Sequence, residues 1–358
     1  MDDFLFNEFR TVSPAAWKQK IQVDLKGADY NDSLIWKSNE AIHIKPFYTA
    51  EDRHNNNVCL PKDGYKICQS IFVDDVIIAN KIAVDSLERG ATAIQFIAKN
   101  TFDYIVLFDK IDTKQTHIYL NFEFLDAAFI SEIEKYCKGN YIYFQIDIIG
   151  NLAKTGNWFS NLNADISEKA KFIHTVTNSI CVDASLYQNA GATIIQELAY
   201  ALAHTNEYLE LFGESIALKI HYIFSIGSNY FFEIAKLRAF RILIEVLLKE
   251  RGIQHTTIHI FTKPSLRNKT IYDYNVNMLR TTSECMSAIL GGSDTISNVS
   301  YDSTYHKSNE FGERIARNQL LILKEEAYLS EAHKFANGAY YIENTEKQFA
   351  EKALQLFK

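Results

Sequence analysis

The sequence predicts an α/β fold, a (β/α)8 TIM barrel, preceded by an extended N-terminal arm. Two observations predict the barrel. Eight short apolar segments recur from residue 65 onward, and stretches with helical periodicity fall between most of them. A third observation sets the arm apart. Residues 1–60 carry too few apolar side chains for a core of their own, so they must lie on the rest of the chain or on a partner. The expected division is an arm over 1–60 and a barrel over 61–358. A chain of 358 residues suits one barrel with extensions, and 47% hydrophobic residues fill its core.

Within the arm, Ser13 caps a helix with Pro14 in its first turn, running past Trp17 to about Leu25 and stopped by Gly27. Short extended pieces follow at 33–36 and 42–44, ending at Pro46. The expected barrel strands are 67–73, 92–97, 117–122, 141–148, 179–184, 218–224, 257–261 and 295–299, with 102–108 and 172–176 as further candidates. Helices are expected at 75–89, 124–136, 189–211, 228–249, 274–290 and 308–329. The stretch 179–211 is the clearest unit. Ile180 and Val182 alternate as in a strand, Ser185 to Gln188 form a turn, and Ile194, Ile195, Leu198 and Leu202 fall at helical spacing. Such strand-to-helix turns line the ligand face of parallel α/β proteins. The segment 228–249 is apolar almost all round, which calls for burial on two sides, either at a subunit interface or beneath the arm. In the last segment, Glu310 with Arg314 and Glu313 with Arg317 have the spacing of helical ion pairs.

Composition narrows the class of function. The net charge is −7, and no basic run is interleaved with aromatics, which argues against nucleic acid as a partner. No apolar run is long enough to span a bilayer. The N-terminus lacks a secretory pattern, and the five cysteines are scattered without CxxC spacing. These features predict a cytoplasmic protein without membrane contact.

Motifs for metals and phosphates are weak. His255 and His259 have HxxxH spacing but lie on an expected strand, where four residues separate the rings by roughly 13 Å, too far for one ion. No metal site is expected. Residues 150–156 lack the glycine that precedes the lysine of a phosphate loop, and are read as an ordinary loop. Asp52, His54 and Asn57 approach a D-x-H-x-x-G pattern without its final glycine. Lys219 and His221 flank Ile220 and would share a strand face. Both are candidates to point into a ligand channel, with Gln188 on the nearby turn. Arg241 falls within an apolar stripe and needs a carboxylate or carbonyl partner.

Several long motifs then occur in a familiar order. Residues 182–191 (VDASLYQNAG) with Gln196 to Tyr200, residues 226–239 (IGSNYFFEIAKLRA), Asn277 to Thr282, Ala288 to Gly292, and Arg314 to Asn318 resemble the core of methylmalonyl-CoA mutases. At the front, Trp17 to Gln22 and Asp24 to Tyr30 resemble the small subunit of these mutases, and Ile44 to Thr49 resembles another family segment. The resemblance implies a barrel that threads the pantetheine arm of an acyl-CoA along its axis, followed by a cobalamin domain. It also implies an N-terminal arm that embraces a partner subunit. The catalytic subunit interconverts methylmalonyl-CoA and succinyl-CoA using adenosylcobalamin; the small subunit is not catalytic.

This sequence departs from the catalytic pattern. Where the catalytic form carries Gly-Tyr-His at a strand end, its histidine bonding the thioester carbonyl, the positions here read Ala184-Ser185-Leu186. Leucine has no donor. Leu60 stands where the resemblance places a tyrosine, and Lys219-Ile220-His221 replaces an Arg-Leu-Ser substrate contact. The sequence stops at Lys358, so no cobalamin domain is expected within it, and no cofactor is expected on this chain. The resemblance therefore implies a pseudoenzyme that stabilises the catalytic large subunit, with adenosylcobalamin in the complex; a homodimer of the isolated barrel is left open. The alternatives are a working acyl-CoA mutase barrel completed by a separate cobalamin protein, and an acyl-CoA sensor. Side chains filling the barrel axis would exclude the sensor.

Overall fold

The computed structural model describes residues 8–53, 58–137, 141–254, 257–331 and 335–358. Ser13 caps helix α1 (Pro14–Asp24), accepting from Ala16 N at 3.2 Å, and Gly27 beyond its end adopts φ +97°. Helix α2 (Tyr30–Leu34) and the antiparallel pair β1 (Trp36–Lys37) and β2 (His43–Ile44) continue the arm. Residues 33–34, expected to be extended, are helical because the Asp29 carboxylate caps α2 at Asn31 N and Asp32 N. The arm is pinned at several points. Trp36 stacks on Phe232, Tyr48 meets Tyr341 edge-on, and His43 N donates to Gln348.

All eight expected strands are present: β3 (Lys66–Phe72), β4 (Ala93–Ala98), β5 (His117–Phe122), β6 (Ile142–Phe144), β7 (Ile180–Asp183), β8 (Ile220–Ile226), β9 (His259–Pro264) and β10 (Thr295–Ile296). They form one parallel sheet in the order β6-β5-β4-β3-β10-β9-β8-β7, curled nearly into a barrel with its seam between β6 and β7. The helices are α3 (Val76–Glu88), α4 (Tyr104–Leu107), α5 (Ala127–Cys137), α6 (Ile148–Thr155), α7 (Leu162–Ala170), α8 (Ser185–Ala190), α9 (Ile194–Phe212), α10 (Tyr230–Glu250), α11 (Val276–Leu290), α12 (Glu310–Glu325) and α13 (Tyr340–Phe357).

Departures from the sequence reading have local causes. Strand β6 is shorter than expected because Asp147 leaves the ladder to cap α6 through Gly150 N at 2.8 Å. Residues 150–156 are thus mostly helix, ended by Gly156 at φ +76°, and not a loop. The turn at 185–188 is helix α8. The long helix after it begins only at Ile194, where Thr193 and Gln196 form a reciprocal capping box. The candidate strand 102–108 is α4 and its flanks, and 172–176 is a run of turns. The expected ion pairs of α12 do not form. Glu313 instead binds Ser308 and Gln69, and Arg317 donates to Gln69 Oε1 at 2.8 Å.

Within this chain the doubly apolar helix α10 is covered by the arm and by a further helix. Helix α13 packs along it: Phe349 lies edge-on to Phe232 at 5.2 Å, and Arg238 on α10 pairs with Glu346. Arg241 finds the partners its position demanded, the Asp294 carboxylate at 2.8 Å and the Gly292 and Ile258 carbonyls.

Candidate functional site

Alternation along the strands sends one set of side chains outward to the helices and the other into the barrel. Outward residues such as Ile94, Phe96, Ile118 and Leu120 join the helical layer. Inward, Cys68, Ala93, Tyr119, Tyr143, Cys181, Ile223 and Phe261 form a separate packed cluster. Tyr119 stacks on Tyr143 at 4.8 Å, Tyr143 on His259 at 4.3 Å, and His221 meets Tyr143 edge-on at 5.4 Å. Tyr119 Oη lies 2.8 Å from His259 Nε2 and 2.6 Å from Thr295 Oγ1. The middle of the axis is therefore filled by rings.

Above this plug the interior becomes polar. Ser70 Oγ donates to Gln95 Oε1 at 2.6 Å and lies 2.8 Å from Ser297 Oγ; Gln95 in turn donates to Gln145. At the mouth, a cavity of about 80 Å³ is lined by Gln145, Asp147, Lys154, Asp183 and Leu186, among others. That volume holds a handful of water molecules and no thioester arm. Burial pushes the Asp183 carboxyl up, while its contacts with Ser185 pull it back. Leu186 lines this cavity at the end of the strand-to-helix unit and offers it only methyl groups.

Beside the mouth lies a buried chain of polar groups. Asp147 accepts from Tyr208 Oη (2.6 Å), Gly150 N (2.8 Å) and Asp183 N (2.9 Å), and sits 3.4 Å from His204 Nδ1. The other ring nitrogen of His204 lies 2.6 Å from Tyr187 Oη. Burial alone would raise the Asp147 carboxyl, but the His204 contact, Tyr208 and the Asp183 amide outweigh it and hold the group at about 2. The Tyr187 hydroxyl is pushed up to about 12, first by burial and then by the Asp147 charge. It stays neutral and ties α8 to α9 rather than serving as a nucleophile.

The structure separates the residues singled out from sequence. Lys219 precedes β8 at the opposite end of the barrel and donates to the His174 and Val176 carbonyls at 2.9 and 2.8 Å. Of the two, His221 points inward, buried at 1% exposure, with both ring nitrogens lacking a hydrogen-bond partner among the described residues. The expectation that Lys219 and His221 share a face fails because the strand starts at Ile220 and Lys219 belongs to the preceding 3-10 turn. Gln188 lies on α8 and lines a cleft outside the strands. Leu60 packs at the N-terminal end of the barrel, near Gly292, far along the axis from Leu186. His54, Asn57 and His255 lie outside the described residues. Among the described residues, no cluster of three or more His, Cys, Asp or Glu side chains is arranged to hold a metal ion.

Asp147, His204 and the buried Lys169, whose amine donates to the Ile146 carbonyl at 2.8 Å, were not read from sequence. The signal for Asp147 was an N-cap aspartate three residues before Gly150. Lys169 and His204 sit on helices among ordinary residues and carry no such mark.

Parallel strands with their helices wrapped around a filled interior define a TIM-barrel-like α/β protein, its polar mouth at the carboxyl ends of the strands. Residues 103–358 match the family model described as methylmalonyl-CoA mutase, and the chain belongs to that family. It is 34% identical to the methylmalonyl-CoA mutase small subunit of Porphyromonas gingivalis, over 99% of this chain and 63% of that protein. The small subunit of Streptomyces virginiae is 32% identical over 59% of this chain and 36% of that protein. The methylmalonyl-CoA mutase large subunit of Porphyromonas gingivalis is 30% identical over 54% of this chain and 28% of that protein. The chain thus spans less than two thirds of the length of each of these relatives. No helix among the described residues is long and apolar enough to cross a membrane.

Proposed function

We propose that this chain is a small-subunit-type barrel that stabilises the catalytic large subunit of a methylmalonyl-CoA mutase without itself carrying out the isomerisation. The observation that carries the reading is Leu186, which presents methyl groups to the barrel mouth where the catalytic pattern places a thioester-polarising histidine. The ring-filled axis supports it, because a pantetheine arm has no path past Tyr119, Tyr143 and Phe261. The same packing speaks against an acyl-CoA sensor. Adenosylcobalamin is accordingly assigned to the complex and not to this barrel, and the complex to the cytoplasm.

The partner surface in this reading is the arm. Helix α1 buries none of its residues, and Trp17, Val23, Val12 and Phe9 are each more than half exposed. An apolar set of that kind on and just ahead of a short helix is the form a subunit clasp takes. Mixing the chain with a large subunit and separating by gel filtration tests the assignment. A 1:1 complex is expected, weakened by Trp17→Ala. Separate elution of the two chains at micromolar concentration would sink it.

A further inference from the structure

Between the arm and the barrel rim lies a cleft of about 510 Å³, outside the strand interior and separate from the mouth. It is within the size range of small-molecule pockets. Its floor is Gly227, in the turn from β8 into α10. A Cβ at that position would stand 2.9 Å from Glu233 Oε1 and 3.2 Å from Gln188 Nε2, so the floor is shaped for glycine.

The two side chains that flank this glycine are buried and half-used. Gln188 is 7% exposed, and its Oε1 accepts from Ser265 Oγ at 2.8 Å, but its Nε2 has no hydrogen-bond partner among the described residues. Glu233 is 3% exposed and meets Lys236 Nζ at 2.6 Å through Oε2, while its Oε1 has no such partner among them. A donor and an acceptor therefore border the same cleft unpaired.

Charge decides the ligand class. Glu40 and Glu233 both line the cleft, and an anion would face two carboxylates. Lys236 and one nitrogen of Arg267 are already engaged, and so is the Ile195 amide. Lys236 is shared between Glu233 and Glu197, Arg267 donates to the Gln188 and Ala192 carbonyls, and Ile195 N donates to Glu40 Oε2. A cation would in turn face the Gln188 donor and the Arg267 guanidinium. A neutral group satisfies both walls. Trp36, stacked on Phe232 with centroids 5.4 Å apart, adds a flat apolar side.

We propose that this cleft binds a small neutral molecule whose polar group offers an acceptor to Gln188 Nε2 and a donor to Glu233 Oε1, its flat body lying against Trp36 and Phe232. A primary carboxamide and a pair of neighbouring hydroxyls share that chemistry. The site lies apart from the subunit role, and it stands or falls without a large subunit present.

The test titrates the full chain with benzamide, catechol and benzoate, followed by saturation-transfer NMR of the probes and by Trp fluorescence. Benzamide or catechol is expected to bind and benzoate to be rejected, and the better neutral probe identifies which source the cleft prefers. Gly227→Ala should weaken binding at least about tenfold by displacing Gln188 and Glu233. Gln188→Met keeps the side chain's bulk without its donor and should do the same, should the alanine variant fail to fold. Equal binding of benzoate and benzamide, unchanged affinity in Gln188→Met, or no binding of either neutral probe at millimolar concentration would each overturn the proposal.

Discussion

At the scale of single residues, the barrel is held by polar groups that only the fold brings together. Asp147 is the first. Its carboxylate satisfies Gly150 N, Asp183 N and Tyr208 Oη and faces His204, so truncation strands four buried groups at once. Asp147→Ala should cost about 3–5 kcal/mol in urea unfolding at neutral pH. The pH dependence has a definite sign. A carboxyl held at about 2 in the folded chain, against 3.8 when free, adds stability above pH 3.8 that is lost as the pH falls toward 2. Asp147→Asn should flatten that acid limb; an unchanged limb would show that Asp147 is not its source. His221 is the opposite case. Both of its nitrogens are buried among rings without partners among the described residues, and burial, with the nearby His259, drives its pKa well down. His221→Phe, which fills the space without the orphaned polar atoms, should stabilise by about 1–2 kcal/mol. A loss of stability would mean that an ordered water serves the imidazole.

At the scale of elements, α9 and α10 are joined by one amine between two carboxylates. Lys236 Nζ lies 2.9 Å from Glu197 and 2.6 Å from Glu233, and all three side chains are almost wholly buried. Lys236→Met leaves the acids facing each other and should cost about 3–5 kcal/mol at neutral pH. Burial already pushes Glu197 up to about 7 with the lysine in place. A carboxyl raised above its free value of 4.5 loses stability as the pH rises from there through 7, and removing Lys236 deepens that slope. The unfolding midpoint of the variant should therefore recover toward pH 5, and a midpoint flat across that range would refute the account. The presence and order of the eight strands were legible because their apolar runs are short, β-branched and bounded by turn residues. The apolar circumference of α10 was legible too, and burial on two sides follows from it. Its cover was not. In α13, Ile342, Phe349 and Ala353 form the buried stripe, but Asn344, Glu346, Lys347 and Gln348 lie between them and mask the period. The candidate site was legible in part for a similar reason. Leu186 and Gln188 follow directly on a strand end at the barrel mouth, whereas Lys219 was misplaced by a two-residue error in where β8 begins.

At the scale of the whole molecule, closure of the barrel depends on a seam that no ladder crosses among the described residues. Strands β6 and β7 are bridged instead by the turn before β7. Phe144 N donates to Asn178 O at 3.1 Å, Asn178 Nδ2 donates to Ile142 O at 3.0 Å, and the buried Lys169 amine donates to the Ile146 carbonyl at 2.8 Å. Asn178 does this at φ +43°, a left-handed conformation that asparagine tolerates and a Cβ-bearing apolar residue does not. Two substitutions separate the contributions of backbone and side chain. Asn178→Gly keeps the conformation and gives up the Ile142 hydrogen bond, a cost of about 1 kcal/mol. Asn178→Ala gives up the same bond and adds left-handed strain, for about 2–3 kcal/mol in all. Amide exchange at Phe144 should quicken in both variants, and more in the alanine one, because opening the seam frees that N–H. An alanine variant at least as stable as the glycine one would mean that the turn relaxes out of the left-handed region, and that the barrel closes through side-chain packing across the seam rather than through Asn178.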